Sequence, residues 1–563
     1  MELRGPRAAA HAAALLAAAA LWAPPPAFGQ EQAQSQAVEP SAVLTRPASP
    51  TRPPRDHFLN AVQATRIALR DRRVREELPE HEGVTRRTFA KGPGRWQISW
   101  YAGGDEIVQA IVDEREGRAV EVWTGHQVAW EMARGREGAF GRRVNSPWVW
   151  IPLMLAFFVP FFDPRRPFRL LHLDLLVLLS FSLSHVWFNR GEIGTSVPLV
   201  YPVLAYLLVR LLALGRRSAE RPAAQAPFVL VPAGVLVLGL VFLVGFRVGL
   251  NVTDSNVIDV GYSGVIGADR LTHGEDIYGS FPDDNGSGDT YGPVAYYAYV
   301  PFEAAFPWSG TWDDLPAAHA AAVAFDLATL VALFFAGRSL LGRGAAGNRL
   351  GLALAYAWAA YPYTAFVLNS NANDSLVALL VTLAFLTLAS PRGRGVALAL
   401  AGAAKLAPLS LALLWSSYDR RRGRDALAFF LALGAATVLL WLPVLPDGGV
   451  REAWDRTIGF QLGRDSPFSI WGLEDLGWAQ DVMKALAIAL AVGVALRPRL
   501  KTAVGTAALG AAVLVALQLS LSHWFYLYIV WWLPLALIAV LAAPQPARGR
   551  RAARGVADRT AAA

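Results

Sequence analysis

Long apolar runs separated by short polar segments dominate the chain from residue 147 to residue 542. A membrane-spanning helix needs about 20 predominantly apolar residues. The candidate spans are residues 147–162, 171–188, 196–214, 227–250, 316–337, 349–368, 374–390, 425–444, 482–496, 502–521 and 524–542. The pattern therefore predicts an all-α polytopic membrane protein, a helical bundle with about eleven spans.

A further apolar stretch, residues 395–416, fits no ordinary crossing. A full span there would place the basic cluster Arg420–Arg424 on the exterior side, against the usual excess of positive charge in cytoplasmic loops. We therefore expect a re-entrant hairpin of two short helices, broken near Lys405–Pro408. With this assignment the arginine-rich loops and the C-terminus are cytoplasmic, and the protein is a multi-pass protein of the plasma membrane.

The N-terminal segment has a different pattern. Residues 1–29 resemble a secretory signal peptide, and residues 30–54 form a Pro-, Gln- and Ser-rich linker expected to be disordered. Residues 55–141 predict an exported α+β module with a helix at 58–77. Its strands are expected at 85–91, 95–101, 107–112 and 119–123. Residues 147–226 then supply three additional spans, and 543–563 form a basic cytoplasmic tail.

The composition of the chain excludes several kinds of site and partner. The 563 residues are 54% hydrophobic and carry a formal charge of +8, and the chain has no cysteine. Disulfides, thiol catalysis and thiolate metal sites are therefore excluded. The Lys and Arg residues gather in short loops between apolar runs, as membrane topology requires, so no nucleic-acid partner is expected. No metal site and no cofactor are predicted, and no nucleotide-binding signature is present.

The segment 251–315 stands out from this basic chain. It contains eleven acidic residues against one arginine, Arg270, and it is rich in Gly and Tyr. Asp254 and Asp259 both lie within ten residues of the end of the span 227–250. A carboxylate at the membrane interface can act as a general base toward a sugar hydroxyl. An Asp in such a loop is, however, more often a helix cap or a solvated charge.

Three further positions suggest binding or proton transfer. Arg464, with the hydroxyls of Ser466 and Ser469, forms a set suited to a phosphate, although the arginine could instead pair with neighbours or lipid headgroups. His523 lies at a turn among interfacial aromatic residues and is as consistent with a structural role as with proton transfer. Asp326, inside a span, is either functional or held by a buried hydrogen bond.

The segments NVIDVGYSGVIGADRLTHGEDIYG and DTYGPVAYYAYVPFE, which follow a span, resemble the membrane glycosyltransferases of the GT-C type. The resemblance is greatest to the polyprenyl-phosphate-sugar-dependent mannosyltransferase-like group (glycosyltransferase family 87-like). It continues through NSNANDSLVALL, AGAAKLAPLSLALL, GFQLGRDSPFSIW and SHWFYLYIVWWLPL, and so covers residues 227–542. The pattern of the group falls on Asp259, Tyr262, Gly274 and Tyr278. The site candidates in these segments are Asp259, Tyr262, Tyr278, Tyr291, Asn373, Asp374, Gln461 and His523.

This resemblance implies a GT-C-like transferase core at 227–542 and an inverting enzyme whose base is Asp259. It would move a mannose- or arabinose-like unit from a polyprenyl-phosphate donor to an envelope glycan or glycolipid. The pieces GRWQISWYAGG and AIVDEREGRAVEVWTGHQ of the N-terminal module resemble small PepSY-type modules of exported proteins. Two alternatives stay open: a transporter or flippase for lipid-linked sugars, and a non-catalytic subunit of envelope assembly.

Overall fold

The computed structural model describes residues 44–135, 143–220, 224–418, 423–462 and 466–543. The predicted signal peptide, the tail beyond residue 543 and Arg464 lie outside these ranges. The chain divides into two compact units. One contains the N-terminal module with residues 182–198, and the other contains residues 143–181 and the chain from 199 onward.

The N-terminal unit contains a five-stranded antiparallel sheet whose strands follow one another in sequence order. The strands are Leu44–Thr45, Thr85–Lys91, Arg95–Ala102, Asp105–Asp113 and Arg118–Thr124. All four predicted strands are confirmed. The additional strand lies within the segment predicted to be disordered, where Leu44 pairs with Lys91 because an extended chain can add to an open sheet edge.

Alternating apolar residues build the core of this unit. Trp96, Ile98 and Trp100 are buried on one face of the sheet with Val108 and Val122 of the neighbouring strands. Two helices, Ala61–Ala68 and Arg72–Glu77, pack their alanine and valine side chains into the same core. A period of two thus fixes which face of each strand is covered.

One continuous helix was predicted over 58–77, and the structure corrects this to two. The first helix begins at a capping box in which Asn60 and Gln63 bond each other's backbone N–H groups. Asp71 caps the second helix by accepting from the N–H of Arg73. Asp at such a position favours a helix start over helix continuation, because its short side chain satisfies an otherwise unpaired N–H group.

The second unit is almost entirely helical. Its helices of eight or more residues are Pro147–Phe158, Leu170–Phe188, Ile193–Glu220, Ala233–Thr253, Asp259–His273, Pro316–Leu341, Ala345–Ala360, Pro362–Asn369, Asp374–Leu386, Pro391–Ala404, Gly423–Trp441, Gly477–Leu496, Ala503–Leu519 and Ile529–Leu541. Helices Leu170–Phe188 and Ile193–Glu220 extend into the first unit.

Short helical turns complete the described chain. They are the α-helices His126–Ala129, Val294–Tyr297, Val300–Glu303, Ala412–Ser416, Gly449–Trp454, Phe460–Leu462 and Ile470–Leu473, the π-helix Asp455–Gly459, and the 3-10 helices Leu78–Glu80, Glu131–Arg134, Val159–Phe161, Asp283–Asn285, Ala407–Leu411, Leu442–Val444 and Tyr526–Tyr528.

Six of the described helices are long and apolar enough to cross a membrane, or up to seven if the bent pair Ala345–Ala360 and Pro362–Asn369 is one span. This agrees with a polytopic helical membrane protein. Each of the eleven predicted span positions contains a helix, but the remaining ones are shorter than a bilayer crossing requires. Eleven crossings therefore stay a prediction.

The bend of 59° between the paired helices occurs at Pro362. Proline has no N–H group to continue the helical hydrogen bonds, so carbonyl groups of the preceding turn need other donors. The Nη1 atom of Arg247 supplies them, at 3.1 Å from the Trp358 carbonyl oxygen and 2.9 Å from that of Ala359. A buried arginine thereby stabilises the bend.

A second break confirms the predicted interruption near Lys405–Pro408. Helix Pro391–Ala404 ends with Lys405 in an extended conformation, and a 3-10 helix begins at Ala407. Pro408 lies in the first turn of that 3-10 helix, where its missing N–H group costs nothing. The break leaves the Lys405 side chain at a helix end rather than on a continuous helix surface.

Candidate functional site

Three glycines shape the helix Asp259–His273, which we call the glycine helix. Gly261, Gly264 and Gly267 recur every third residue and so lie along one face. A Cβ atom on Gly261 would lie 2.2 Å from the carbonyl oxygen of Asn371, and one on Gly264 would lie 2.6 Å from the Tyr299 ring. One on Gly267 would lie 2.2 Å from the ring of Tyr296. Only glycine permits this approach, which sets the helix against the turn at 369–374.

Asp259 is the first residue of the glycine helix, and its side chain is exposed. Its carbonyl oxygen accepts from Asn285 Nδ2 at 3.1 Å and from Ser263 Oγ at 2.7 Å, so the backbone is fixed from two sides. The unpaired N–H groups of a helix N-terminus favour a nearby negative charge. The structure thus presents an accessible carboxylate on a rigid support.

Asp254 has a different environment. It ends the helix Ala233–Thr253, and its Oδ2 atom accepts from the backbone N–H of Arg143 at 3.1 Å. The guanidinium Nε atom of Arg143 lies 3.5 Å from the same oxygen. This carboxylate therefore links two segments of the chain, which suits a positioning role.

Of the three tyrosine candidates in the segment 251–315, two are buried. Tyr262 packs against Trp308 and Trp312, and its hydroxyl group lies 3.4 Å from Asp284 Oδ2. Burial, and then the charge of Asp284, raise the pKa of Tyr262. Tyr278 donates to the carbonyl oxygen of Tyr291 at 3.0 Å. Tyr262 and Tyr278 thus hold the loop together, whereas Tyr291 is only half-buried.

The ammonium group of Lys405 lies beside the ring of Tyr291. The sequence predicted Lys405 only as part of a break between two helices. The Nζ atom of Lys405 lies 5.6 Å from the centre of the Tyr291 ring, 5.8 Å from that of Tyr528 and 5.3 Å from that of Trp531. Its ion-pair partner is Asp374 Oδ1 at 2.6 Å. We call Lys405, Asp374 and these three rings the lysine cluster.

A single loop connects Asp259 with the lysine cluster. Asn285 at one end donates to the Asp259 carbonyl oxygen. At the other end Gly292 lies so close to residue 403 that a Cβ atom would come within 2.3 Å of the Ala403 carbonyl oxygen. The loop 285–292 thus runs from the backbone of Asp259 to Tyr291, whose ring lies beside the Lys405 ammonium group.

Ser466 and His523, two of the remaining candidates, extend the lysine cluster beyond Tyr528. The Oγ atom of Ser466 lies 2.8 Å from His523 Nδ1, and the His523 ring lies 6.2 Å from that of Tyr528. Ser469 instead caps the helix Ile470–Leu473 by accepting from the N–H of Gly472. Arg464 lies outside the described residues, two positions before Ser466.

Gln461 and Asn373 lie in contrasting places. Gln461 is exposed, within the short helix Phe460–Leu462. Asn373 is buried immediately before Asp374, at the start of the helix Asp374–Leu386. Asn373 therefore borders the lysine cluster directly.

Asp326 is bound within the bundle. Its Oδ1 atom accepts from Arg247 Nη2 at 2.5 Å and from Trp358 Nε1 at 2.8 Å. Because Arg247 also holds the carbonyl groups at the Pro362 bend, the carboxylate fixes that arginine in place. Asp326 is therefore held by buried hydrogen bonds, which is one of the two roles that the sequence left open for this residue.

Arg456 is a second cation that the sequence reading missed. It lies in the π-helix Asp455–Gly459, donates to Asp289 Oδ2 at 2.7 Å and to Glu452 Oε1 at 2.8 Å, and packs against Gly279. The hydrogen bond to Glu452 is the largest cause of a raised pKa at Arg456. The bridge ties the segment 251–315 to the segment 445–481. A π-helix is often found at functional sites, but it is visible only in the structure, and Arg456 and Asp289 are too far apart in sequence for a local pattern to pair them.

The structure therefore brings Tyr291, Asp374, Ser466 and His523 together around Lys405, and the loop 285–292 connects this region to the backbone of Asp259. Asp254, Asp326, Tyr262 and Tyr278 support the surrounding fold. Within the part of the chain that the structure describes, no group of three or more His, Cys, Asp or Glu residues could hold a metal ion.

Comparisons with known proteins add no identification. No protein-family model matches the chain. No curated protein matches it either.

Proposed function

We propose that the protein is a GT-C-like glycosyltransferase that moves a sugar from a polyprenyl-phosphate donor to a cell-envelope glycan or glycolipid. The carrying observation is that the loop 285–292 connects the backbone of the exposed residue Asp259 to the ring of Tyr291, which lies 5.6 Å from the buried ammonium group of Lys405. Transfer from a lipid phosphate needs a base for the acceptor and a cation for the leaving phosphate.

In this mechanism a hydroxyl oxygen of the acceptor attacks the anomeric carbon of the donor sugar. Asp259 takes the hydroxyl proton as the new carbon–oxygen bond forms. The bond between the anomeric carbon and the phosphate oxygen breaks, and the electron pair leaves with the polyprenyl phosphate. Attack on the side opposite the leaving group inverts the anomeric configuration.

Among the described residues, Lys405 can bind the phosphate, because its ammonium group is positively charged and carries three N–H donors. Arg464 and Ser466 are the additional phosphate-binding groups expected from the sequence, and Ser466 reaches the lysine cluster through His523. Ser469 supports this segment as a helix cap.

The topology that goes with this function has about eleven crossings and a re-entrant hairpin around Lys405 in the plasma membrane. The glycine helix, the lysine cluster and the N-terminal PepSY-like module would all lie on the exterior side. The C-terminus would be cytoplasmic. The basic loops predicted to be cytoplasmic support this orientation.

A transporter or flippase for lipid-linked sugars is the second candidate function. It is favoured by the broken helices at Pro362 and Lys405, since transporters often bind substrates at discontinuous helices. Movement of a labelled donor across the membrane of vesicles, without chemical change, would favour this candidate. Sugar transfer in detergent, where no membrane separates two compartments, would favour the transferase.

The variant that tests the mechanism is Asp259→Asn, which retains size and hydrogen bonding but cannot accept the proton. A general base typically contributes about 10²–10⁴-fold, so turnover should fall by that order while donor binding is retained. Asp254→Asn is the matched control, because its carboxylate already binds Arg143. Parent-level turnover in Asp259→Asn would reject Asp259 as the base.

A further inference from the structure

Side-chain oxygens without a hydrogen-bond partner are concentrated beside the lysine cluster. Twelve buried side-chain nitrogen or oxygen atoms lack a partner among the described residues, and three belong to the consecutive residues Asn373, Asp374 and Ser375. The hydroxyl oxygen of Tyr299 is a fourth such atom nearby. Buried polar groups are nearly always hydrogen-bonded, so a concentration of this kind suggests a ligand.

The Asp374 carboxylate uses only one of its oxygens inside the protein. Its Oδ1 atom accepts from Lys405 Nζ and from Trp531 Nε1, both at 2.6 Å. Its Oδ2 atom has no partner in the described chain. An ionised carboxylate is an acceptor only, so the group that completes this site must bring a donor.

Tyr299 contributes a donor to the same place. Its side chain is fully buried in the same core cluster as Leu376 and Ala404, which lie close in sequence to Asp374 and Lys405. A tyrosine hydroxyl is protonated at neutral pH and so can donate a hydrogen bond there. The Tyr299 ring is fixed against Gly264 of the glycine helix, which leaves the ring little freedom to turn away.

Lys405 adds further donors and marks an approach to the site. Its ammonium group has three N–H bonds, of which the ion pair with Asp374 needs one. Asp374 itself is fully buried, but the rings of Tyr291 and Tyr528 beside Lys405 are half-buried. The cluster thus combines partly exposed aromatic residues with buried hydrogen-bond acceptors and donors.

We propose that Asp374, Asn373, Tyr299 and Lys405 bind neighbouring hydroxyl groups of the donor sugar, with the ring of Tyr291 against the sugar. The inference rests on the proposed transferase function and deepens it. A sugar hydroxyl both donates and accepts, so neighbouring hydroxyls can donate to Asp374 Oδ2 and Asn373 Oδ1 and accept from Tyr299 and Lys405. Asp374 would repel a phosphate on its own side of Lys405, so the phosphate of the same donor is assigned to another N–H bond of the Lys405 ammonium group. A metal cation would compete with that ammonium group.

The test is equilibrium binding to purified full-length protein in detergent. The probes are polyprenyl phosphate, its mannosyl derivative and its arabinosyl derivative. Tyr299→Phe removes only the hydroxyl group and should weaken binding of the preferred sugar-bearing probe by about 2- to 13-fold, as expected for one hydrogen bond. Binding of bare polyprenyl phosphate should be unchanged.

Tyr297→Phe is the matched control, two residues away. The Tyr297 hydroxyl group donates to the Leu440 carbonyl oxygen at 3.1 Å, away from the cluster, so all three affinities should equal those of the parent. Asp374→Asn is a weaker test, because it also leaves the Lys405 ammonium group without its carboxylate.

Equal affinities of Tyr299→Phe and parent for the sugar-bearing probes would overturn the sugar site and indicate that only water meets these oxygens. Equal weakening for bare polyprenyl phosphate would also overturn it, since the hydroxyl would then act on the phosphate or the fold. If the parent binds sugar-bearing probes but transfers no sugar, the proposed function fails while the sugar site stands. If it binds none of the probes, both fail.

Discussion

The ion pair between Arg247 and Asp326 gives the most direct prediction about stability. Both side chains are almost completely buried, with relative exposures of 1% and 3%. Arg247→Met leaves the Asp326 carboxylate without its cation, a change that typically costs about 3–5 kcal/mol. It also removes a donor from the carbonyl groups of Trp358 and Ala359 at the Pro362 bend.

The double variant Arg247→Met with Asp326→Leu separates these two effects. Neither charge remains, so the electrostatic penalty disappears, and the residual loss should be on the order of 1 kcal/mol per carbonyl group. The double variant should therefore be more stable than Arg247→Met alone. The assay is reversible unfolding of the full-length protein in detergent, followed by tryptophan fluorescence.

Arg451→Met is the control for changing arginine to methionine at an exposed pair. The Arg451 and Asp455 side chains are 93% and 66% exposed and lie 4.0 Å apart, and such surface pairs contribute about 0–1 kcal/mol. The reasoning is refuted if Arg247→Met is as stable as the parent. It is equally refuted if the double variant loses as much stability as the single one.

Three other predictions concern separate parts of the chain. Burial raises the pKa of Glu114, but hydrogen bonds from Trp96 and other donors outweigh it and leave that pKa below its ordinary value of 4.5. The N-terminal module should therefore keep full stability above pH 4.5 and lose stability as the pH falls below that value. Melting curves recorded over a series of pH values should show a weaker loss at acid pH for Glu114→Gln than for the parent. Gly261→Ala should destabilise the protein by about 1–3 kcal/mol in chemical unfolding through overpacking, whereas Gly249→Ala, with nothing within 4 Å, should not. For topology, an impermeant thiol reagent on intact cells should label Ser287→Cys and leave Ser390→Cys unlabelled; the reverse pattern would contradict the proposed orientation.

Local patterns predicted the local structure. The alternation of apolar residues gave the four main strands of the module, and Pro408 indicated the break beside Lys405. The glycines at 261, 264 and 267 are spaced three residues apart in the sequence. Their purpose was not, because it depends on Tyr296, Tyr299 and Asn371, which come from later segments.

Pairings between distant residues could not be predicted. Lys405 and Asp374 are 31 positions apart, and Arg456 and Asp289 are 167 apart. No periodicity within a single helix links such positions, since local side-chain pairs occur three or four residues apart. For this reason the sequence suggested a phosphate-binding cation, Arg464, only from its neighbours Ser466 and Ser469, whereas the packing of the helices determines which cation meets which carboxylate.

The buried charges of the helical bundle likewise were predicted only in part, because their partners lie on distant segments. From the sequence, Asp326 was expected to be either functional or held by a buried hydrogen bond, because a carboxylate inside a span is costly. Its partner Arg247 lies at the end of another predicted span, where arginine is readily taken for a residue at the membrane interface. The structure shows that this arginine instead supports the bend that leads to Asn373 and Asp374.

Sugar transfer by purified full-length protein in detergent tests the central proposal most directly. The protein is incubated with radiolabelled polyprenyl-phosphate mannose or arabinose and with envelope glycolipid as acceptor. The proposal predicts labelled glycolipid of inverted anomeric configuration, at a rate about 10²–10⁴-fold lower in Asp259→Asn. Absence of transfer from either donor, under conditions where the protein binds that donor, would contradict it.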